Sequence, residues 1–435
     1  MLLVCPIIIG AQSFNLTHGK KFQKIEFELI NNLIVLPIEL NGVKLSFVLD
    51  SGVSKPILFN LTSKDSLGIN NYSEIFLRGL GGGKPIKALS SNKNIVKLKN
   101  FENRNQQVYV IVDKSLNFSH KLGIPIHGII GYDVFRDFVV EINYAAKFIK
   151  IWKPSEYVYR SRKNVETLPL SVENRKAYVY AEIEQGGKKN PVKMLVDTGS
   201  SDALWLFEKK ERGIILPAKN FEDFLGRGLS GDIHGRRSKI DVFYIGRFRL
   251  SKAKSAFPYS TSIKYITNLG DRNGSLGGEV LKKFNIVFDY PSNKITFKKN
   301  SYFKKPFQFN TSGMNLQHKG TRYVKVNLNS SRGILKTTDN DGVSNNVTIQ
   351  LENRSKIILV PQIVITNIRN GSSAEISRLK VGDIILSINN APVYKKKLQE
   401  ITSMINQKPG KVIKLLVSRN NEQLLFTMKL QDLFQ

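Results

Sequence analysis

Short runs in which apolar and polar residues alternate recur along most of the chain and predict β-strands. Residues 36–49 contain two such runs on either side of Asn41-Gly42, a dipeptide typical of a two-residue hairpin turn. Only short segments, such as 132–138 and 278–284, have helical character. The pattern therefore predicts a mainly β protein.

The first 300 residues contain an internal duplication, because three motifs recur in the same order at an offset of about 147 residues. The first motif is an apolar strand that ends in Asp-Ser/Thr-Gly, the second is glycine-rich, and the third is a short segment ending in Gly. The copies lie at 47–52 and 194–199, at 78–82 and 227–231, and at 129–131 and 275–277. We expect two related β lobes, residues 13–160 and 165–305, with a linker at 153–169.

The composition is that of a folded, strongly basic protein: 41% of the 435 residues are hydrophobic, and 66 Lys and Arg against 35 Asp and Glu give a net charge of +31. This charge favours anionic partners, but the basic residues are spread along the chain, with the longest run at 395–397. We therefore expect a solvated basic surface and no specific nucleic-acid groove. One Cys and five scattered His argue against a disulfide scaffold and a metal site, and no cofactor is expected.

The N-terminal residues 1–12 have the pattern of a truncated secretory signal. Residues 2–9 are apolar and are followed by Gly10-Ala11, although basic residues before the apolar run are missing. A buried first strand is the alternative interpretation. No other stretch approaches the ~20 apolar residues of a membrane-spanning helix. We therefore expect an exported protein, periplasmic or associated with the cell envelope, without a transmembrane span.

The duplicated Asp-Ser/Thr-Gly motif indicates a specific chemistry. Pseudo-twofold packing of the two lobes would bring Asp50 and Asp197 together. Two adjacent carboxylates cannot easily both ionise, so one keeps a proton while the other is charged. The charged carboxylate can deprotonate a water molecule, and the protonated one can donate a hydrogen bond to a peptide carbonyl. The sequence therefore predicts amide hydrolysis without a metal or a covalent intermediate, favoured at acid to near-neutral pH.

Residues 30–300 resemble the aspartic protease family, especially its retropepsin-like bacterial branch. The resemblance implies two pseudo-twofold-related retropepsin-like β-barrel lobes in one chain, with Asp50 and Asp197 as the catalytic residues. It also implies that hydroxyl side chains brace the two catalytic loops and that glycines shape them. These loop-supporting residues are Ser51, Gly52, Thr198 and Gly199.

By the same resemblance, the two glycine-rich segments are flaps that close over an extended polypeptide substrate. The flap residues are Gly79, Leu80, Gly81, Gly228, Leu229 and Ser230. The chain departs from the family at Val53, where a small residue is commoner, and at the polar Ser275. Asp133 and Glu279 recur at matching positions and are expected to cap the short helices that they start. A protease-like shell without activity, serving as a peptide-binding scaffold, is the alternative to an active endopeptidase.

The C-terminal part, residues 310–435, resembles a PDZ domain, most clearly at residues 379–390. Such a domain implies binding of an extended or C-terminal peptide by strand addition. Gly313, Met314 and Leu316 resemble the loop that binds the peptide carboxylate. An intramolecular brace that binds no free peptide is the alternative. Residues 331–357 are polar and Asn-rich, which predicts an insertion or a disordered loop, and we expect the whole chain to be a monomer.

Overall fold

A computed structural model provides the structure. It describes residues 13–16, 19–61, 67–69, 71–113, 116–159, 162–264, 270–327, 333–338, 344–349 and 355–434. The predicted leader, residues 1–12, lies outside the described residues, so export and cellular location stay predictions. The chain forms two compact units, one extending to Thr311 and including the C-terminal residues from Gln431, the other Ser312–Leu430. Among the described residues, the helices are all too short or too polar to cross a bilayer.

The first lobe contains a nine-stranded sheet. Its strands are Asn15–Leu16, Glu28–Ile30, Leu33–Leu40, Val43–Leu49, Ile57–Leu58, Tyr72–Leu77, Ile86–Leu98, Phe101–Ile111 and Gly128–Ile130, and its short helices are Ser119–Leu122 and Tyr132–Phe135. The hairpin predicted at Asn41-Gly42 is confirmed. Both residues have positive φ, at 48° and 89°, as a tight two-residue turn requires.

The second lobe contains an eight-stranded sheet. Its strands are Ser171–Glu173, Lys176–Gln185, Lys188–Val196, Leu204–Leu206, Asn220–Gly228, Gly231–Ile245, Phe248–Pro258 and Gly274–Leu276, and its short helices are Lys210–Arg212, Ser260–Ile263 and Gly278–Leu281. In each lobe the strand that precedes the Asp motif runs parallel to the strand of the third motif. Phe47 lies opposite Gly128 in the first lobe, and Met194 lies opposite Gly274 in the second. The repeat is therefore present in the register of the sheets as well as in the sequence.

A third, six-stranded sheet joins the two lobes. Its strands, in spatial order, are Val165–Pro169, Lys294–Lys299, Phe284–Asp289, Val139–Asn143, Phe148–Trp152 and Phe22–Glu26. At its centre Glu141 pairs antiparallel with Val287, and these two residues are equivalent in the repeat, at the offset that relates Gly131 to Gly277. An antiparallel pairing of equivalent residues creates a local twofold relation between the two copies.

The third sheet also corrects the predicted linker at 153–169. Residues Pro154–Glu156 form a helical turn, and Val165–Pro169 form an edge strand that pairs with Lys294–Lys299. Thr167 and Thr296 share a side-chain hydrogen bond of 2.8 Å across this pair. Buried residues of both repeats, among them Leu36, Ile142, Val179 and Ile286, belong to one hydrophobic core. Burial of this apolar surface is what holds the two lobes as one unit.

The C-terminal unit has its own sheet and hydrophobic core. Its strands are Met314–Asn327, Ser355–Ile368, Ile384–Ile388, Ala391–Pro392, Val412–Arg419 and Glu422–Lys429, and its helices are Ser373–Ile376, Val393–Lys395 and Leu398–Ile405. Two further strands, Gly333–Thr338 and Ser344–Ile349, pair with each other. Residues 331–357 were predicted to be an insertion or a disordered loop, and these two strands contradict the second alternative, because polar, Asn-rich composition does not exclude a β-hairpin.

Candidate active site

The two Asp motifs occupy equivalent places in their lobes. Asp50 follows the strand Val43–Leu49, and Asp197 follows Lys188–Val196. The backbone N–H of Asp50 donates to the carbonyl of Ile130 at 2.8 Å, and that of Asp197 donates to the carbonyl of Leu276 at 2.9 Å. Each aspartate is thus fixed at the end of a buried strand by the neighbouring parallel strand.

Reciprocal hydrogen bonds fasten the two loops that carry Asp50 and Asp197 to each other. The backbone N–H of Ser51 donates to Thr198 Oγ1 at 2.9 Å, and the N–H of Thr198 donates to Ser51 Oγ at 3.1 Å. Each hydroxyl also donates across the loops, Ser51 to the carbonyl of Val196 at 2.5 Å and Thr198 to that of Leu49 at 2.8 Å. Ser51 and Thr198 are fully buried. Four bonds in a water-free setting therefore hold the relative position of the loops.

The glycines after these hydroxyl residues leave room for the carboxylates. The N–H of Gly52 donates to Asp50 Oδ1 at 2.8 Å, and the N–H of Gly199 donates to Asp197 Oδ1 at 3.1 Å. A Cβ on Gly199 would lie 2.2 Å from the Asp50 carboxyl carbon. A Cβ on Gly52 would lie 3.1 Å from Asp50 Oδ1 and 3.8 Å from the Asp197 carboxyl carbon. Both acids therefore reach the same small region between the loops.

This proximity changes the acidity of both groups. Burial raises the pKa of Asp50, and the neighbouring Asp197 raises it further, to about 7. Burial also raises the pKa of Asp197, but the Arg272 guanidinium opposes that rise. Lys176 acts against the rise at both carboxyl groups. The two carboxyl groups therefore hold a proton between them more readily than isolated aspartates do, while Arg272 favours the charged form of Asp197.

Both carboxylates line a cavity of about 580 Å³ together with residues of the two glycine-rich segments that were predicted to be flaps. The tips of these segments bond directly to each other. The N–H of Gly83 donates to the carbonyl of Ser230 at 2.7 Å, the N–H of Ser230 donates to that of Leu80 at 2.9 Å, and the N–H of Gly79 donates to Ser230 Oγ at 3.0 Å. Gly81 has a φ of 106° and lies so close to Gly231 that a Cβ would be 2.6 Å from its nitrogen.

Of the predicted flap residues, Gly79, Leu80, Gly228 and Leu229 line the cavity. Gly81 and Ser230 instead take part in the contacts between the tips. The structure therefore brings four of the six predicted flap residues to the cavity that both aspartates line, and the other two to the contact between the segments. Their role in binding substrate stays a prediction.

Two of the basic residues that line this cavity, Lys176 and Arg272, were not identified from the sequence. Arg272 is only 5% exposed, and its guanidinium donates to the carbonyl of Gly274 at 2.9 Å and to the Ser275 hydroxyl. The polar Ser275, noted above as a departure from the family pattern, is thus the partner of a buried arginine. That departure was the one signal in the sequence that pointed to this group.

The expectation that Asp133 and Glu279 cap helices was wrong. The residues at the N-caps of the two short helices are Gly131 and Gly277. Asp133 accepts a hydrogen bond from Gln106 Nε2 at 2.7 Å and forms an ion pair of 3.6 Å with Lys55. Burial makes an ion pair or hydrogen bond for these acids more valuable than capping, since an unpaired buried charge is costly.

Glu279 lies in a larger buried network. It forms an ion pair with Lys254 and accepts a hydrogen bond from the backbone N–H of Gln308 at 2.8 Å. Lys254 also pairs with Asp202 at 3.2 Å, and Asp202 pairs with Arg237 at 2.6 Å. Although burial raises it, these two cations hold the pKa of Asp202 well below its usual range. The network packs against the residues that follow the second Asp motif, since the N–H of Glu279 donates to the carbonyl of Asp202 at 3.0 Å.

Comparison with protein families follows the same division of the chain. Residues 36–134 match the family model for aspartyl proteases, and residues 342–430 match that for PDZ domains. The chain carries an aspartyl protease domain and a C-terminal PDZ domain. The matched part of the aspartyl protease domain contains Asp50 and Gly131, while Asp197 lies in the second copy of the repeat. None of the curated proteins matches the chain.

In the PDZ domain, Met314–Asn327 lies at one edge of the described sheet and packs beside the helix Leu398–Ile405. Gly313 precedes this strand with a φ of 78°, and a Cβ on it would lie 2.1 Å from the Ser372 side chain. Met314 and Leu316 are buried in the domain core. Their predicted contact with a peptide stays a prediction.

Proposed function

We propose that the protein is an aspartic endopeptidase in which Asp50 and Asp197 activate one water molecule for attack on a peptide bond. The observation that carries the proposal is the pair of reciprocal hydrogen bonds between Ser51 and Thr198. Each of these bonds joins one lobe to the other, so neither bond can form within a single lobe. They hold two carboxylates at the floor of a cavity that two flaps border, which is the arrangement that acid–base hydrolysis of an extended polypeptide needs.

The asymmetry of the pair supports a division of roles. Asp197, whose charge Arg272 favours, takes a proton from the water as the water oxygen attacks the carbonyl carbon. Asp50, whose pKa lies near 7, donates a hydrogen bond or its proton to the carbonyl oxygen. As the tetrahedral intermediate collapses, the C–N bond breaks, the proton held by Asp197 passes to the leaving amine, and Asp50 takes back its proton from the oxygen that re-forms the carbonyl. Atoms and charge balance without a metal or a covalent enzyme intermediate.

The test is cleavage of unfolded casein between about pH 4 and 7, since general acid–base chemistry is fastest when the catalytic pKa lies near the working pH. Wild type should cleave, and Asp50→Asn and Asp197→Asn should each lose activity while remaining folded. Glu182→Gln is the matched control, because it removes one exposed carboxylate from the same domain. An inert wild type whose PDZ domain still binds peptide would instead make the protein a peptide-binding scaffold.

We also propose that the PDZ domain binds polypeptide along the edge strand Met314–Asn327. An edge strand offers unpaired backbone donors and acceptors to an incoming chain, and the adjacent helix supplies one wall of a groove. Full-length Asp197→Asn protein should bind peptides in a fluorescence anisotropy titration without cutting them. Tighter binding of free-acid than of amidated peptides would support capture of a C-terminus, and no binding of either form would support an internal brace.

A further inference from the structure

The halves of the protease cavity differ in charge at equivalent positions. In each lobe, the residue two positions before the aspartate pairs with a residue of the neighbouring antiparallel strand. The pairing residue is Val35 in the first lobe and Tyr178 in the second. Two positions earlier stand Leu33 and Lys176, respectively. Both line the cavity. A leucine in one half is therefore replaced by a lysine in the other.

A second pair of equivalent positions shows the same change. In each lobe, the residue three positions before the aspartate lies opposite a glycine of the neighbouring parallel strand. This glycine is Gly128 in the first lobe and Gly274 in the second. Two positions earlier stand Ile126 and Arg272, and these also line the cavity. The strand register therefore makes Leu33 equivalent to Lys176 and Ile126 equivalent to Arg272. The two apolar residues lie on one side of the aspartates, and the two cations lie on the other.

The two cations lack carboxylate partners of their own. Within the described part of the chain, no side chain forms an ion pair with Lys176 or Arg272. Arg272 uses donors on a carbonyl and a hydroxyl, which leaves its positive charge uncompensated. The nearest negative charge is the aspartate pair, which carries about one charge when it shares a proton. Burial and the proximity of Arg272 both lower the pKa of Lys176, so this half of the cavity favours an additional anion.

Other cations that line the cavity already have partners. Lys55 pairs with Asp133 at 3.6 Å, and Arg227 pairs with Asp232 at 3.6 Å. Lys121 lies 5.4 Å from the centre of the Phe224 ring. Lys176 and Arg272 differ from these cations because their charges act on the aspartates: Lys176 lowers the pKa of both, and Arg272 lowers that of Asp197.

We propose that Lys176 and Arg272 form a subsite for an acidic side chain of the substrate, at the position related by the local twofold to an apolar subsite around Leu33 and Ile126. This inference rests on the proposed peptide hydrolysis. An extended substrate that crosses the two aspartates places residues from opposite sides of the scissile bond in the two halves. The preferred substrate is thus a polypeptide with an apolar residue on one side of the cleaved bond and Asp or Glu on the other.

The test begins with mass-spectrometric mapping of cleavage sites in unfolded casein. The main site is then made as two amidated peptides that differ only in Glu or Gln at the acidic position. Wild type should cleave the Glu peptide at least about tenfold faster, measured as kcat/KM, since a buried charge pair discriminates strongly against a neutral substitute. Lys176→Gln should remove most of this preference. Lys188→Gln, an exposed lysine near the far end of the same hairpin, should retain it.

The ratio between the two peptides isolates the subsite from the aspartates. Both peptides use the same catalytic pair, so an effect of Lys176 on that pair cancels in the ratio. Equal cleavage of both peptides by wild type, or an equal loss on both in Lys176→Gln, would overturn the subsite. If wild type cleaves nothing, hydrolysis fails, and anisotropy with two amidated extended peptides, identical except for Glu or Gln next to an apolar residue, decides the subsite: tighter binding of the Glu peptide supports it, and equal binding overturns it.

Discussion

The two lobes share the framework of the loops that carry Asp50 and Asp197 but differ in the charges behind it. Five residues after each aspartate the first lobe has Lys55 and the second has Asp202. Lys55 pairs with Asp133. The Asp202 carboxylate is linked to that of the equivalent acid, Glu279, through an intervening Lys254.

The difference separates what the fold requires from what it tolerates. Reciprocal bonds between Ser51 and Thr198 need the same small hydroxyl residue type in both copies, because each bonds to the other's backbone. The charged residues behind the loops need only partners of opposite charge, and this need can be met with either sign of charge at a given position. Duplicated halves in one chain can therefore diverge in charge while the catalytic geometry is kept.

The largest effect is expected from Lys254→Met. The substitution would leave Glu279 buried without its cation and Asp202 with Arg237 alone. Removing one partner of a buried pair costs about 3–5 kcal/mol. Urea unfolding should show this loss. Lys55→Met should cost clearly less, because Asp133 keeps Gln106 and Arg136; equal losses would contradict the difference drawn between the lobes.

Next in size is the loss of activity in Gly199→Ala. The new Cβ would stand 2.2 Å from the Asp50 carboxyl carbon, so that carboxylate must move. Displacement of a catalytic group by about 1 Å lowers kcat/KM by about 100-fold. The equivalent Gly52→Ala meets its nearest atom at 3.1 Å and should retain far more activity on the same casein substrate. A more severe loss in Gly52→Ala would refute the geometry.

A smaller effect is expected when the reciprocal bonds are removed. Ser51→Ala and Thr198→Val each delete a buried hydroxyl that donates one hydrogen bond and accepts another. Each should lower the free energy of unfolding by about 1–3 kcal/mol. In a double-mutant cycle measured by urea unfolding, the double variant should lose less than the sum. Strict additivity would show that the two hydroxyls act independently.

The smallest effect is a shift in pH dependence. The pair must hold one proton, so activity should fall as the pH rises through about 7, where Asp50 loses its proton. Arg272 favours the charged form of Asp197, so Arg272→Gln should raise the pKa of the pair and move the alkaline limit of kcat/KM to higher pH. Circular dichroism checks that the variant is folded. A shift to lower pH would assign the proton differently.

Local patterns carried most of the fold and the centre of the site. The alternating runs, the Asn41-Gly42 turn and the duplicated Asp motifs can be recognised from neighbouring residues alone, and the strands follow them. Because the two Asp motifs are equivalent in the repeat, pseudo-twofold packing of the copies predicted that Asp50 and Asp197 lie close together.

Features that depend on register and burial could not be predicted in this way. Arg272 lies far along the chain from Asp197, and only the pairing of Gly274 with Met194 brings it to the cavity. Asp133 was taken for a helix cap because sequence shows its place at a helix start but not its burial. The strand Val165–Pro169 was interpreted as a linker because the strand with which it pairs, Lys294–Lys299, lies far along the chain.

The sheet shared by the two lobes has a consequence for assembly. Strands Val139–Asn143 and Phe284–Asp289 meet edge to edge, so each repeat closes on the other through backbone hydrogen bonds as well as through the peptide chain. Cutting the polypeptide between the repeats would leave this seam intact. Produced as separate chains, the halves should reassociate into a heterodimer, and one half could then be exchanged for a redesigned version without rebuilding its partner.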